Sequence, residues 1–137
     1  MAEVVIQGRR RPVPDALVRR AVGTVLAGER RAARISVTFL GRDAMRSLNR
    51  RHLGHDRPTD VVSFALDTPE GLVGDVYVCP WVAVREARAR RLPLRQEVVR
   101  LVVHGTLHVL GFDHPAGEAR TGSAMWRRQE RYVARVA

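Results

Sequence analysis

The sequence predicts an α+β fold: a small mixed β-sheet of about four strands packed with about five helices, one of them central and buried. Three observations predict it. Residues 3 to 7, 35 to 40, 61 to 66 and 72 to 78 carry the alternating or β-branched character of strands. Around them, apolar residues recur at helical spacing. The stretch from Leu94 to Leu110 is apolar nearly all the way round beyond Arg100, as a helix enclosed by other elements must be. At 137 residues the chain is expected to form a single domain, 1 to 137, with a core of its own.

Taken in order, EVVIQ at 3 to 7 makes a short first strand, and the arginine-rich RRRP after it a basic turn. From Pro14 the period changes. Leu17, Val18, Ala21, Val22, Val25 and Leu26 fall on one helical face, Asp15 stands in the first turn where the helix dipole favours negative charge, and Gly28 is the expected stop. ISVTFL at 35 to 40 reads as the second strand. A helix over about 43 to 52 follows, with Ala44, Met45 and Leu48 inward. Gly54 to Pro58 has loop chemistry. Val61, Val62, Phe64 and Leu66 then predict a strand central to the sheet, because both of its faces are apolar.

LVGDVYV at 72 to 78 is a further strand with one carboxylate, Asp75, which must face solvent, cap a neighbouring backbone or hold a functional group. Pro80 suits the first position of a helix that Leu92 and Pro93 end. The buried helix from Leu94 follows. A last helix, about 117 to 135, turns Met125, Trp126, Tyr132 and Val133 inward and Arg127, Arg128, Arg131 and Arg135 outward. Phe64, Trp81 and Phe112 read as core residues rather than stacking platforms.

The chemistry concentrates in HGTLHVLGFDH, residues 104 to 114. His104 and His108 are four apart, so on a helix their side chains lie roughly 40° apart around the axis. Gly111 permits the turn that brings His114 back as a third imidazole. Burying two imidazoles without partners costs about 1–3 kcal/mol for each unsatisfied group, and a shared metal ion satisfies them together. Three imidazoles leave a coordination position open, which is the arrangement of catalytic zinc. The spacing HxxxHxxGxxH is also that of the metzincin proteases, HExxHxxGxxH, but the glutamate that would serve as general base is here Gly105. Peptide hydrolysis by that mechanism is therefore not expected.

Composition points elsewhere. The formal charge is +10, every one of the 24 basic residues is arginine, and a small domain this basic favours a polyanion, nucleic acid before an anionic membrane surface. The lone Cys79 cannot form an internal disulfide. No apolar run resembles a signal peptide or a membrane span, so a cytoplasmic location with no membrane partner is expected. Arg88, Arg90, Arg91 and Arg95 are either a phosphate track or the solvated ends of two helices.

These motifs resemble those of the YbeY endoribonucleases, also called ribosomal RNA maturation factors. HGTLHVLGFDH is similar to that family's HGxLHLxGYDH, GHDRPTDVVSFAL to its GKDKPTDVLSFPL, and GDVYVCP stands where the family has GDIVIS. The resemblance covers about residues 35 to 135. It implies a zincin-like domain with one zinc ion on His104, His108 and His114, acting on single-stranded ribosomal RNA in association with the small ribosomal subunit. No dinucleotide cofactor is expected. The rival from another class is an assembly factor that binds RNA and uses zinc only to hold its fold.

One departure is evident: where many members carry an arginine before the glycine of GKDKPTD, this chain has Leu53. Arg57 is the candidate to stabilise charge on phosphorus, with Arg51 near it. Asp113 either handles a proton, orients an imidazole or caps the turn after Gly111, and Thr59 and Asp60 either brace the metal loop or begin the strand. The RNA-binding candidates are Arg51, Arg57, Arg88, Arg90, Arg91 and Arg95.

Overall fold

A computed structural model of the chain describes residues 2–53, 61–112 and 123–137. Four strands, β1 (Ala2–Gln7), β2 (Ala33–Phe39), β3 (Val61–Thr68) and β4 (Gly71–Val78), form one sheet in the order β1-β2-β4-β3. The pairs β1/β2 and β2/β4 are parallel, while β3/β4 is antiparallel. The helices are α1 (Asp15–Glu29), α2 (Arg42–Leu53), α3 (Pro80–Arg90), α4 (Leu94–Val109) and α5 (Ala124–Val136). The α+β architecture and mixed sheet are those the sequence predicts. None of the described helices is long and apolar enough to cross a membrane.

Strand alternation divides the apolar residues between two layers. Ile35, Val37, Val76 and Val78 face a large core completed by α1, α4 and α5. Val62, Phe64 and Tyr77 face a smaller one completed by Met45 and Leu48 of α2. All six residues expected to line the inner face of α1 are buried.

Several expectations need correction. The strand expected at the centre of the sheet, β3, is an edge strand. Both its faces are apolar near its start because α4 packs against Val61 while the α2 cluster covers Val62; farther along, Leu66 is 66% exposed. Gly28 does not end α1. The left-handed cap is Arg30, and Gly28 lies where a β-carbon would collide with the Tyr132 ring. Ala44 is exposed, and Asn49 is buried in α2 instead. The last helix starts at Ala124 rather than 117, capped by the Ser123 hydroxyl, which accepts from the Trp126 amide. Asp75 is half-buried and accepts from a side chain rather than capping a backbone: the hydroxyl of Ser36, its register partner on β2, donates to it at 2.5 Å.

α4 is enclosed because the sheet lets it come close. A β-carbon on Gly105 would lie 2.5 Å from Val76 Cγ1, and one on Gly74 of β4 would collide with Val109. The Ser63 hydroxyl donates to the Gly105 carbonyl across the same contact, at 3.1 Å. α5 is tied to α1 by Glu29, which accepts from Arg128 at 2.9 Å and from the Tyr132 hydroxyl at 2.5 Å.

Two measurements probe this packing. Gly105→Ala is expected to destabilise the protein by about 1–3 kcal/mol, as overpacking does, and urea unfolding reads the shift; an unchanged midpoint would show that the contact yields freely. The second concerns acid. Burial pushes the Glu29 and Glu130 carboxyls up, but hydrogen bonds from Tyr132 and Arg128 to the first, and from Arg100 and Gln129 to the second, hold both below the ordinary 4.5. Their stabilisation is therefore complete above about 4.5 and is lost as pH falls through the lower folded values. Urea midpoints at neutral pH and below 4.5 should differ in that sense, and less so in Glu29→Gln.

Candidate metal centre

His104 and His108 stand one turn apart in the second half of α4, and their Nε2 atoms converge to 3.0 Å. The rings meet edge to face, with centroids 4.5 Å apart and planes at 76°. His104 is buried and His108 half-buried. Two imidazoles bound to one tetrahedral zinc at ordinary bond lengths hold their nitrogens about 3.3 Å apart, so the pair fits an ion with a small adjustment.

What fixes His104 lies on α5. Its Nδ1 is 2.6 Å from Gln129 Oε1, and the Gln129 amide nitrogen donates to Glu130 Oε2 at 3.0 Å. Glu130 in turn accepts two bonds from Arg100, at 2.9 and 2.8 Å, while Arg100 also donates to the buried Glu97 at 3.0 Å. The chain of partners decides the proton. Burial pushes the Glu130 carboxyl up, but its bonds from Arg100 and Gln129 hold it below the ordinary value, so it is an ionised acceptor. The amide NH₂ of Gln129 must point to it, leaving the amide oxygen for His104. Nδ1 of His104 therefore carries the hydrogen, and Nε2 presents a lone pair toward His108.

The same geometry corrects the buried-polar argument made from the sequence. A proton on His108 Nε2 can be donated to His104 Nε2, so the pair is able to satisfy itself without an ion. The case for metal rests on two Nε2 atoms meeting at one point, with the His104 tautomer fixed from behind so that its Nε2 offers a lone pair.

The third candidate ligand, His114, lies outside the described residues, as do Arg57, Asp113, Thr59 and Asp60. The helix end that leads toward His114 is described. Gly111 has φ +99°, its amide donates to the His108 carbonyl at 2.9 Å, and the Phe112 amide donates to the Leu107 carbonyl at 3.0 Å. That is a Schellman turn, and it needs glycine there. Arg51 is exposed in the last turn of α2, its Nε 3.4 Å from the Ser47 carbonyl. Arg90 lines the hollow over His104 together with Trp126, and is paired loosely with Glu86 and Glu97. Arg91 is the left-handed cap of α3, Arg95 is exposed in the first turn of α4, and Arg88 lines a separate groove.

Gln129 was the functional residue that sequence reasoning missed. Its signal was present: Met125, Gln129, Tyr132, Val133 and Val136 share the buried face of α5, and a glutamine on such a stripe requires a partner.

A family model described as Endoribonuclease YbeY matches residues 10–137. The chain is 36% identical over 125 residues to a protein of Chlorobium luteolum named Endoribonuclease YbeY, covering 90% of each. It is 38% identical over 124 residues to one of the same name from Alkalilimnicola ehrlichii, covering 85% of this chain and 75% of that protein. In three dimensions it is similar to a Thermotoga maritima protein of known solution structure. There the TM-score is 0.69 at 28% identity, over 97% of this chain and 88% of the other.

The tautomer is open to direct measurement. Imidazole ¹⁵N shifts of metal-free protein are expected to show His104 protonated on Nδ1. In Gln129→Leu that preference is expected to disappear while the fold survives; a wild-type His104 protonated on Nε2 would contradict the assignment.

Proposed function

Because the chain belongs to the Endoribonuclease YbeY family, we propose that it is a zinc-dependent endoribonuclease acting on single-stranded RNA in ribosomal RNA maturation and quality control. The observation that supports the metal part of this reading is the convergence of the His104 and His108 Nε2 atoms at 3.0 Å, with His104 held by Gln129. His114 completes the proposed ligand set. Imidazole ligands of this kind suit zinc, and when bound the ion supplies Lewis acidity toward a phosphoryl oxygen.

The remaining work falls to the chain's own residues. Gln129 keeps the His104 ring turned so that its Nε2 lone pair faces the site. Arg57, four residues ahead of β3 in the sequence, is proposed to stabilise the charge that develops on phosphorus, since a guanidinium matches phosphate in two parallel hydrogen bonds. Asp113, beside the third ligand, is proposed to handle a proton or to orient an imidazole. Arg51, Arg88, Arg90, Arg91 and Arg95 are proposed to hold the RNA by its phosphates, and the small ribosomal subunit is the proposed partner that presents it.

Peptide hydrolysis is disfavoured by more than the missing glutamate. A side chain at position 105 would run into Val76, so this backbone has no room there for the protease base.

Two results test the reading. Highly purified protein is expected to carry one zinc per chain by elemental analysis, and His114→Ala is expected to lose it. RNA cleavage is expected to fall about 10²-fold or more in Arg57→Ala, with folding checked by circular dichroism. Zinc retained by a wild type that leaves single-stranded RNA uncut would sink the nuclease reading in favour of an RNA-binding assembly factor.

A further inference from the structure

Away from the histidine pair, the ends of three strands and the start of α3 enclose a groove of about 820 Å³. Its floor includes Phe39, the last residue of β2, and Leu40 after it, and the Leu40 amide donates to the Val78 carbonyl, so the floor is a direct extension of the sheet. Arg9, Arg10, Arg42, Arg85 and Arg88 line it with Trp81, and no carboxylate does. Trp81, read from the sequence as a core residue, is 39% exposed. The Arg42 and Arg85 guanidiniums lie over its ring, 5.1 and 4.7 Å from the centroid.

That stacking has a chemical consequence. A guanidinium held over an indole by a cation–π contact keeps N–H groups free to donate, and phosphate is what they match, two bonds at a time. Arg42 has one loose exposed partner, Asp43, at 3.6 Å, while Arg9, Arg10, Arg85 and Arg88 make no ion pair among the described residues. The groove thus combines concentrated positive charge with an apolar floor large enough for a base. An acidic peptide would match the charge but leave that floor without use; single-stranded RNA matches both. The site also opens outside the carboxyl ends of parallel strands, where α/β sheets commonly bind ligands.

α3 runs from the groove to a small hollow beside His104. Trp81, Arg85 and Arg88 lie at the groove, and Arg90, in the last turn, lines the hollow over His104. From Trp81 to Arg90 is about 14 Å of helix. We propose that this groove is a second RNA contact, in which Arg42 and Arg85, stacked on Trp81, hold phosphates of a strand that runs along α3 toward His104. The proposal rests on the RNA reading of the metal centre and adds to it a place where the strand is gripped away from cleavage.

The test is binding of an end-labelled oligouridylate of about twenty nucleotides, followed by fluorescence anisotropy at several salt concentrations in a His108→Ala background. Charge reversal in Arg42→Glu/Arg85→Glu is expected to weaken binding at least tenfold and to reduce the slope of log K against log salt by about 1.4, the share of two lost phosphate contacts. Trp81→Ala is expected to weaken binding several-fold and Trp81→Phe much less, which keeps the test available if the double variant does not fold. Affinity and salt slope unchanged in Trp81→Ala and in single Arg85→Gln would overturn the proposal. So would an oligoglutamate that binds the wild type more tightly than RNA and is lost with the same variants, since that would make the groove a protein site. Cleavage of the same RNA is scored separately with His108 intact. A protein that cleaves normally but ignores groove substitutions refutes the groove alone, whereas one that binds through the groove without cleaving refutes the nuclease reading alone.

Discussion

From Glu97 to Leu107 α4 is buried on every side, and that is possible only because the polar groups it carries are answered from within the fold. Glu97, Arg100 and His104 are all below a tenth exposed, as is Gln129 opposite them. An unpartnered charge in such surroundings costs several kcal/mol, and breaking a buried pair by removing one member costs about 3–5 kcal/mol. The chain of bonds from Glu97 through Arg100, Glu130 and Gln129 to His104 leaves no member of it without a partner. It joins α4 to α5 where apolar packing alone would have left no orientation for an imidazole. The requirement that stabilises the helix pair also sets the His104 tautomer, so the candidate site is a product of the core rather than an addition to its surface.

On its opposite side α4 meets the sheet through glycine. Gly105 over Val76 and Gly74 under Val109 remove the β-carbons that would hold the helix away. This gives the residue between the two histidines' turns a different meaning from the one the protease comparison suggests. Position 105 is not a catalytic position that lost its acid. It is a packing position, and the close helix–sheet contact sets this turn of α4 directly against Val61 and Ser63 at the start of β3.

This explains which parts of the fold were legible in the sequence. Periodicity reports which face of an element is buried, and it located every strand and helix, including the six inward residues of α1. It does not report what covers the face. Val61 and Val62 point to opposite sides, and whether a neighbouring strand or only helices lie beyond them is a matter of sheet order, so β3 read as central although it is an edge. Glycine was ambiguous for a related reason. Gly28 looked like a helix stop and is a contact with Tyr132, because conformational freedom and the absence of a β-carbon leave the same letter. Of the site, the i,i+4 histidines were legible from spacing alone. Gln129 was not, since its partner is 25 residues away and the pairing depends on how α5 crosses α4.

The charge reading gains most from the structure. From composition, +10 is a property of the whole chain and says nothing of place. The fold sorts the arginines. Arg100 and Arg128 are committed to carboxylates that join helices, and Arg11 and Arg34 to exposed ones. Pairing of this kind cancels field where it occurs, so the long-range potential is shaped by the arginines that lack it. Among the described residues Arg9, Arg10, Arg85 and Arg88 are such, and they come from chain segments far apart in sequence, brought together because β1 and β2 end, and α3 begins, at the carboxyl end of the parallel strands. A strongly basic composition gives only a diffuse attraction to polyanions. Focused by topology onto one groove, it gives that attraction a direction, and α3 aligns the direction with His104.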